Sequence, residues 1–296
     1  MSVPQRIAIT GASGLIGTAL VGHLKSEGHT VQRLVRRAPV GADEVQWDPQ
    51  TGFVDLEPLR GVDAIIHLAG VGVGDKRWNK KYKSEILNSR LLGTTAIAHA
   101  VAELKPQVFI SASAIGWYGE SGNRAVVETD RAGDDFLAAV CREWEGAADL
   151  AGDTRTVKIR TGLVLDPTGG ALGKMLPLFR LGLGGKMGNG KQWWSWITLH
   201  DQIRAIVFAL ENPISGPVNA TAPNPVTNQE FTSALARAMH RPALFPVPGI
   251  ALKIALGGFS TEILGSKKVI PHVLQEAGFT WDYPHISEAL GKLVED

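Results

Sequence analysis

Apolar positions along the first half of the chain alternate between two periods. Residues 6–10 (RIAIT) are short, apolar and β-branched, and a glycine-rich turn follows them. From Leu15 the apolar residues Leu15, Ile16, Ala19, Leu20 and Leu24 recur at helical spacing, with Gly28 placed to end the helix. The pattern goes on to predict strands at 30–35, 44–47, 62–69, 108–112 and 156–159, and helices at 80–104 and 134–150. The 62–69 run is nearly all apolar, as in strands buried on both faces. Strand–helix alternation of this kind predicts an α/β fold, a doubly wound parallel sheet wrapped by helices on both faces.

After Leu165 the pattern loosens. Gly and Pro crowd residues 167–190, and short helices are predicted at 201–211, 228–239, 249–256 and 285–294. The implied division is a first domain over 1–165, joined by about 196–220, and a smaller mixed α/β lobe over 166–296. No internal repeat or low-complexity tract stands out.

Composition narrows the partners. The 296 residues carry 30 Lys+Arg against 29 Asp+Glu, a formal net charge of +1. With no basic excess, neither nucleic acid nor a membrane is an expected partner, and any polyanion would have to use a local patch. The single cysteine, Cys141, excludes an intrachain disulfide framework and a Cys-rich metal site, so a reducing cytoplasm is the default. The apolar stretch 64–74 is interrupted by His67 and falls well short of the ~20 residues that span a bilayer. Residues 1–5 run straight into the first strand, so no signal peptide is expected.

The motif with chemistry in it is Thr10-Gly11-Ala12-Ser13-Gly14-Leu15-Ile16-Gly17, a GxxGxxG turn joining the first strand to the first helix. Such a bend lets backbone approach a pyrophosphate, which the helix N-terminus attracts with free N–H groups and its positive dipole end. Gly11, Ser13, Gly14, Leu15, Ile16 and Gly17 are therefore candidate cofactor contacts in a Rossmann-type domain. The end of the second strand reads Arg33-Leu34-Val35-Arg36-Arg37, with no carboxylate until Asp43. An NAD site usually places Asp or Glu here for the ribose 2′-hydroxyl, whereas guanidinium groups suit a 2′-phosphate. Arg36 and Arg37 thus favour NADP(H), unless they only cover solvent at the strand end.

These residues resemble the extended branch of the short-chain dehydrogenase/reductase superfamily. The resemblance rests on TGASGLIG at 10–17, Ile66-His67-Leu68-Ala69-Gly70, Ser111-Ala112-Ser113 and Arg160-Thr161-Gly162-Leu163-Val164-Leu165. More closely, the chain is similar to an atypical subgroup, the epimerase family related to human SDR39U1. That likeness lies in Arg77-Trp78-Asn79, Glu85 to Arg90, Trp144-Glu145, Phe179 to Gly185 and Lys267 to Pro271. It extends over a C-terminal segment, about 247–294, typical of the subgroup. The resemblance implies NADP(H) held by the glycine turn, by Val35 and Arg36, by Leu68 and Ala69, and by Glu85, Arg90 and Val164.

The superfamily's proton-transfer device, a Tyr with a Lys four residues on, is missing. Four residues after Tyr82, Tyr118 and Tyr283 stand Ile86, Gly122 and Ser287, and Phe136 and Val140 occupy the helix where the pair belongs. Ser113 matches the usual Ser position, and Tyr118 follows in the next loop. These two are the candidate catalytic groups, although a Tyr there can equally be a plain substrate-side wall. Trp117, Trp194 and Trp196 could stack on a flat or sugar-like ligand; Trp194 and Trp196 could as well be core. His67 reads as a core histidine, Cys141 as inert, and Glu128, Asp130, Asp134 and Asp135 as loop and helix-capping carboxylates. No metal-ligand spacing stands out. The expected function is an NADP(H)-dependent oxidoreductase or epimerase-like enzyme acting on a small molecule. Its rivals are a non-catalytic NADP(H) sensor and a nucleotide-sugar epimerase, the last weakened by the missing pair.

Overall fold

A computed structural model describes residues 3–295. Eight strands, numbered in chain order, form the main sheet: β1 (Arg6–Thr10), β2 (Thr30–Val35), β3 (Glu44–Asp48), β4 (Phe53–Val54), β5 (Ala64–His67), β6 (Val108–Ala114), β7 (Arg155–Thr161) and β8 (Gly216–Ala220). Their spatial order is β8-β7-β6-β5-β1-β2-β3-β4, all parallel except the β3–β4 edge pair. The chain leaves β1 in one direction across the sheet and returns on the other side through β5. This reversal is the switch point at which doubly wound sheets open a ligand crevice.

Alternation along each strand explains the two layers. Ile7, Ile9, Ile66 and Ile110 enter one core, against α1 (Leu15–Ser26). Ala8, Ile65 and Phe109 enter the other, against α2 (Lys80–Leu104). The helix α3 (Phe136–Ala148) packs beside α2.

The helical pattern was incomplete beyond Leu165. A further helix, α4 (Gly170–Arg180), forms despite its glycines and Pro177, because Leu172, Met175, Leu176 and Phe179 recur at helical spacing and are all buried. The next helix, α5 (Leu199–Glu211), covers the first core beside α1, and β8 extends the main sheet, so residues 199–220 build onto the main sheet. The second core gathers α4 with Trp196, with Phe231 and Leu235 of α6 (Asn228–Ala238), and with Ile286 and Leu290 near the C-terminus. Between them lie α7 (Gly249–Leu256) and the short α8 (Ser260–Leu264), which close against Trp78 through Gly257, Gly258 and Phe259. No helix among the described residues is long and apolar enough to cross a membrane.

Candidate active site

The C-terminal tips of β1, β2 and β5 open onto a groove of about 1540 Å³. Its floor is the glycine turn. Gly11 holds φ at +68°, and a Cβ there would sit 2.8 Å from the Leu68 carbonyl carbon. At Gly17 a Cβ would fall 2.1 Å from the Gly11 oxygen, so only glycine lets the helix start this close to the turn. Gly14 differs: a Cβ there meets only the Gly11 oxygen at 3.4 Å, and its remaining surroundings are the open groove. As N-cap of α1 it supplies no side-chain cap, and no acidic residue stands in the first turn. The helix therefore turns uncapped N–H groups and its positive dipole end to the groove. Ser13 lines the groove, whereas Leu15 and Ile16 are half-buried, Ile16 against the core.

Thr10 ties the neighbouring tips together. Its hydroxyl lies 2.7 Å from His67 Nδ1 and accepts from the Leu68 and Ala69 amides at 3.1 and 3.3 Å. Burial pushes His67 down to about 3, so it is a neutral core imidazole. Leu68 and Ala69 are thereby presented to the groove.

At the tip of β2 the arginines divide their roles. Arg37 grips Glu44 with two hydrogen bonds of 2.7 Å, and Arg33 lies 3.2 Å from the same carboxylate while also binding Asp43. The Arg37 contact, helped by the Val40 amide, holds the Glu44 carboxyl down to about 2. A carboxylate at the mouth is thus neutralised within the protein. Arg36 is exposed, lines the groove beside Val35, and forms no ion pair among the described residues. The sequence offered both arginines to a 2′-phosphate; the structure leaves Arg36 free and commits Arg37 to Glu44.

On α2, Glu85 and Ser89 line the groove, Glu85 pairing with Lys76 at 3.3 Å and Ser89 accepting from the Val71 amide at 3.2 Å. Arg90 donates to the Val71 and Ile86 carbonyls at 2.9 and 3.1 Å and stacks over Trp144 at 4.8 Å. Its guanidinium lies beneath Gly70, at the inner end of the groove. Val164 packs half-buried against the main core.

The region beyond is closed. Ser113 donates to Glu145 at 2.6 Å, and Arg160 clamps that carboxylate from two nitrogens at 2.8 and 2.9 Å. Arg160 also donates to Tyr118 Oη at 3.1 Å, and Tyr118 donates to Asn219 at 2.7 Å. All five residues are buried. Desolvation pushes the Tyr118 phenol up to about 12. Both candidate catalytic hydroxyls are therefore bonded inside the protein, a network with no single-segment signal. Glu128 sits in a turn, as expected of a loop carboxylate, but it is buried and accepts from the Asn219 and Val273 amides. Asp135 does cap α3, accepting from Ala138.

The indoles separate as well. Trp196 is wholly buried in the second core, so the stacking expectation is corrected there: it has no ligand-facing surface. Trp194 packs edge-on against Phe231 at 5.2 Å, and Trp117 lies 3.9 Å from the Arg160 guanidinium. Cys141 is buried with its thiol pushed up to about 12 by desolvation, which removes it as a nucleophile. Phe136, half-buried, packs on Trp78 at 5.3 Å, and the Lys83 ammonium sits 4.6 Å from its ring centre.

The chain is similar to known proteins throughout. Residues 7–138 match the model of the NAD dependent epimerase/dehydratase family, and 247–293 match a domain of unknown function. An epimerase family protein of Mycobacterium leprae is 45% identical over 96% of this chain and 94% of its own. The crystal structure of human epimerase family protein SDR39U1 with NADPH superposes at a TM-score of 0.91 with 34% identity, covering 98% of this chain and 99% of that one. A nucleoside-diphosphate sugar epimerase from Corynebacterium glutamicum reaches 0.80 with 37% identity, covering 99% of this chain and 59% of that one.

Proposed function

The chain belongs to the NAD dependent epimerase/dehydratase family, and from that premise we propose an atypical, NADP(H)-binding reductase or epimerase-like enzyme for a small molecule. The carrying observation is the mouth of β2, where Arg37 neutralises Glu44 and Arg36 is left free for a 2′-phosphate. The fit continues along the groove. Gly11 and Gly17 admit backbone where any Cβ would clash, and Gly14 leaves the α1 N-terminus open to a pyrophosphate. The human relative crystallised with NADPH has the same fold, with a TM-score of 0.91 at 34% identity. When bound, the nicotinamide supplies hydride transfer.

The chain's own residues then have separate tasks. Arg36 selects the phosphorylated ribose, Thr10 fixes the Leu68–Ala69 tip, and Arg90 brings a fixed positive charge to the inner end of the groove. Ser113 and Tyr118 support the wall, since their hydroxyls are already engaged. Lys83 holds its ammonium over Phe136, where the resemblance would place the phenol, and is the proton-bearing group proposed here although it does not line the groove. The experiment is calorimetric titration with NADPH and NADH. NADPH is expected to bind at least tenfold tighter, about 1.4 kcal/mol, and Arg36→Asp to reduce that preference; equal wild-type affinities overturn the cofactor reading.

The Phe136 and Val140 substitutions favour one second reading, a non-catalytic NADP(H)-binding protein. NADPH absorbance followed against a metabolite panel separates the two, with Lys83→Met as the control expected to lower turnover while leaving NADPH affinity intact.

A further inference from the structure

Among the described residues, seven of twelve exposed large apolar side chains fall in two short segments: Leu178, Leu181 and Leu183 in one, Leu244, Phe245, Ile250 and Ile254 in the other. Scattered singly they would need no explanation. The two segments, however, run side by side: the Phe245 amide donates to Gly184 and the Val247 amide to Lys186, the latter at 2.8 Å, and α7 follows directly. Ile250 and Ile254 share one face of that helix, four residues apart.

Charge on the same stretch is one-sided. Residues 167–200 contain Lys174, Arg180, Lys186 and Lys191 and no acid; residues 231–261 contain Arg237, Arg241 and Lys253 and no acid. None of these seven cations forms an ion pair among the described residues. Of these, Lys174 reaches the Gly74 carbonyl, whereas Arg180, Lys186, Arg241 and Lys253 lie within or beside the two apolar segments in sequence. Beside them opens a pocket of about 330 Å³, lined in part by Asn189, Gln192, Ile250, Lys253 and Leu264.

We propose that this cationic, apolar ridge docks the protein peripherally on an anionic lipid bilayer. Apolar side chains would enter the headgroup boundary while Lys and Arg meet the negative leaflet. A second copy fits poorly, because pairing the ridge with itself opposes like charges. An acidic protein groove fits less well than a bilayer, because Leu181, Leu244, Ile250 and Ile254 are 72%, 74%, 68% and 70% exposed. The pocket's mixed lining, with an ammonium and two amides beside two aliphatic side chains, suits a phosphate headgroup with its glycerol.

The test is flotation of the full chain with vesicles of phosphatidylcholine alone and of equal parts phosphatidylcholine and phosphatidylglycerol. Binding is expected only to the anionic vesicles, falling as salt is raised. The pair Arg180→Glu and Arg241→Glu should weaken it by more than about tenfold, and the pair Ile250→Ser and Ile254→Ser should abolish flotation. Circular dichroism and NADPH titration check that both variants keep the wild-type fold. Because the two pairs alter exposed side chains of different chemistry, either one that stays folded decides. No flotation at low salt, equal flotation with uncharged vesicles, or wild-type flotation of a folded variant overturns the proposal. Self-association lost in Ile250→Ser and Ile254→Ser without vesicle binding also overturns it, in favour of a second copy.

Discussion

The open groove and the buried network beyond it treat their polar groups in opposite ways. At the glycine turn the N-terminus of α1 has no side-chain cap and Arg36 no ion pair among the described residues, and the carboxylate that could have repelled a phosphate is already clamped by Arg37. Past Gly70, Ser113, Tyr118, Glu145, Arg160 and Asn219 spend their hydrogen-bonding capacity on one another. Spare capacity in a concave place is what a ligand uses; satisfied capacity is what holds a wall still. The contrast explains how one fold can offer an open cradle at the glycine turn while its deeper polar groups serve only to hold the wall.

The comparison breaks first at the closed end. Glu145→Ala leaves Arg160, only 2% exposed, as an uncompensated buried charge. A loss of about 3–5 kcal/mol in folding stability is expected, read by urea denaturation. A variant as stable as wild type would mean that the network is not closed. At the open end the effect should appear in binding. Gly14→Val has room for its Cβ but projects branches into the groove, so NADPH affinity should fall about a hundredfold, or 2.7 kcal/mol, with the circular dichroism spectrum preserved. Normal binding would place the phosphates elsewhere.

This contrast also marks how far the sequence could be read. β1, β2, α2 and α7 were legible to the residue, because their apolar spacing is local. The glycine turn was legible because close approach demands glycine at fixed intervals. The Gly- and Pro-rich dress of α4 hid its Leu172–Phe179 stripe. The closed network was beyond reach: Tyr118 meets Asn219 across 101 positions, and Ser113 meets Glu145 across 32. Nothing in a single strand or helix announces such partners. The division of labour between Arg36 and Arg37 depends in the same way on Glu44, which belongs to a neighbouring strand.

Between the two regions stands His67, whose Nδ1 meets Thr10 and whose Nε2 is buried without a polar partner. Its folded-state value is depressed from 6.5 to about 3 by burial. The unfolded chain therefore binds this proton first as pH falls. The stability contribution is fully present above pH 6.5 and is lost as pH drops towards 3, a slope of one proton that amounts to about 2 kcal/mol at pH 5. Denaturation midpoints from pH 7 to 5 should show this loss in wild type and a shallower one in His67→Gln. Equal slopes would mean that the imidazole is not held neutral.

The smallest effect gives the sharpest view of the open end. Arg37 does not face a ligand with spare donors; it holds Glu44 with both terminal nitrogens, while Arg33 reaches the same carboxylate. Arg37→Ala keeps Arg36 and leaves Glu44 only partly neutralised, its carboxylate close to the 2′ position of the proposed cofactor. A negative charge there repels a 2′-phosphate and can accept from a 2′-hydroxyl. NADPH affinity should fall about threefold and NADH affinity should rise, a change below about 1 kcal/mol because Arg33 remains paired with Glu44 and the removed Arg37 is exposed. Parallel titrations of both cofactors read the shift, and Arg37→Ala with Glu44→Gln should restore the NADPH preference by removing the charge. If the single variant leaves the NADPH to NADH ratio unchanged, Glu44 does not report on the 2′ position. The preference would then rest on Arg36 alone.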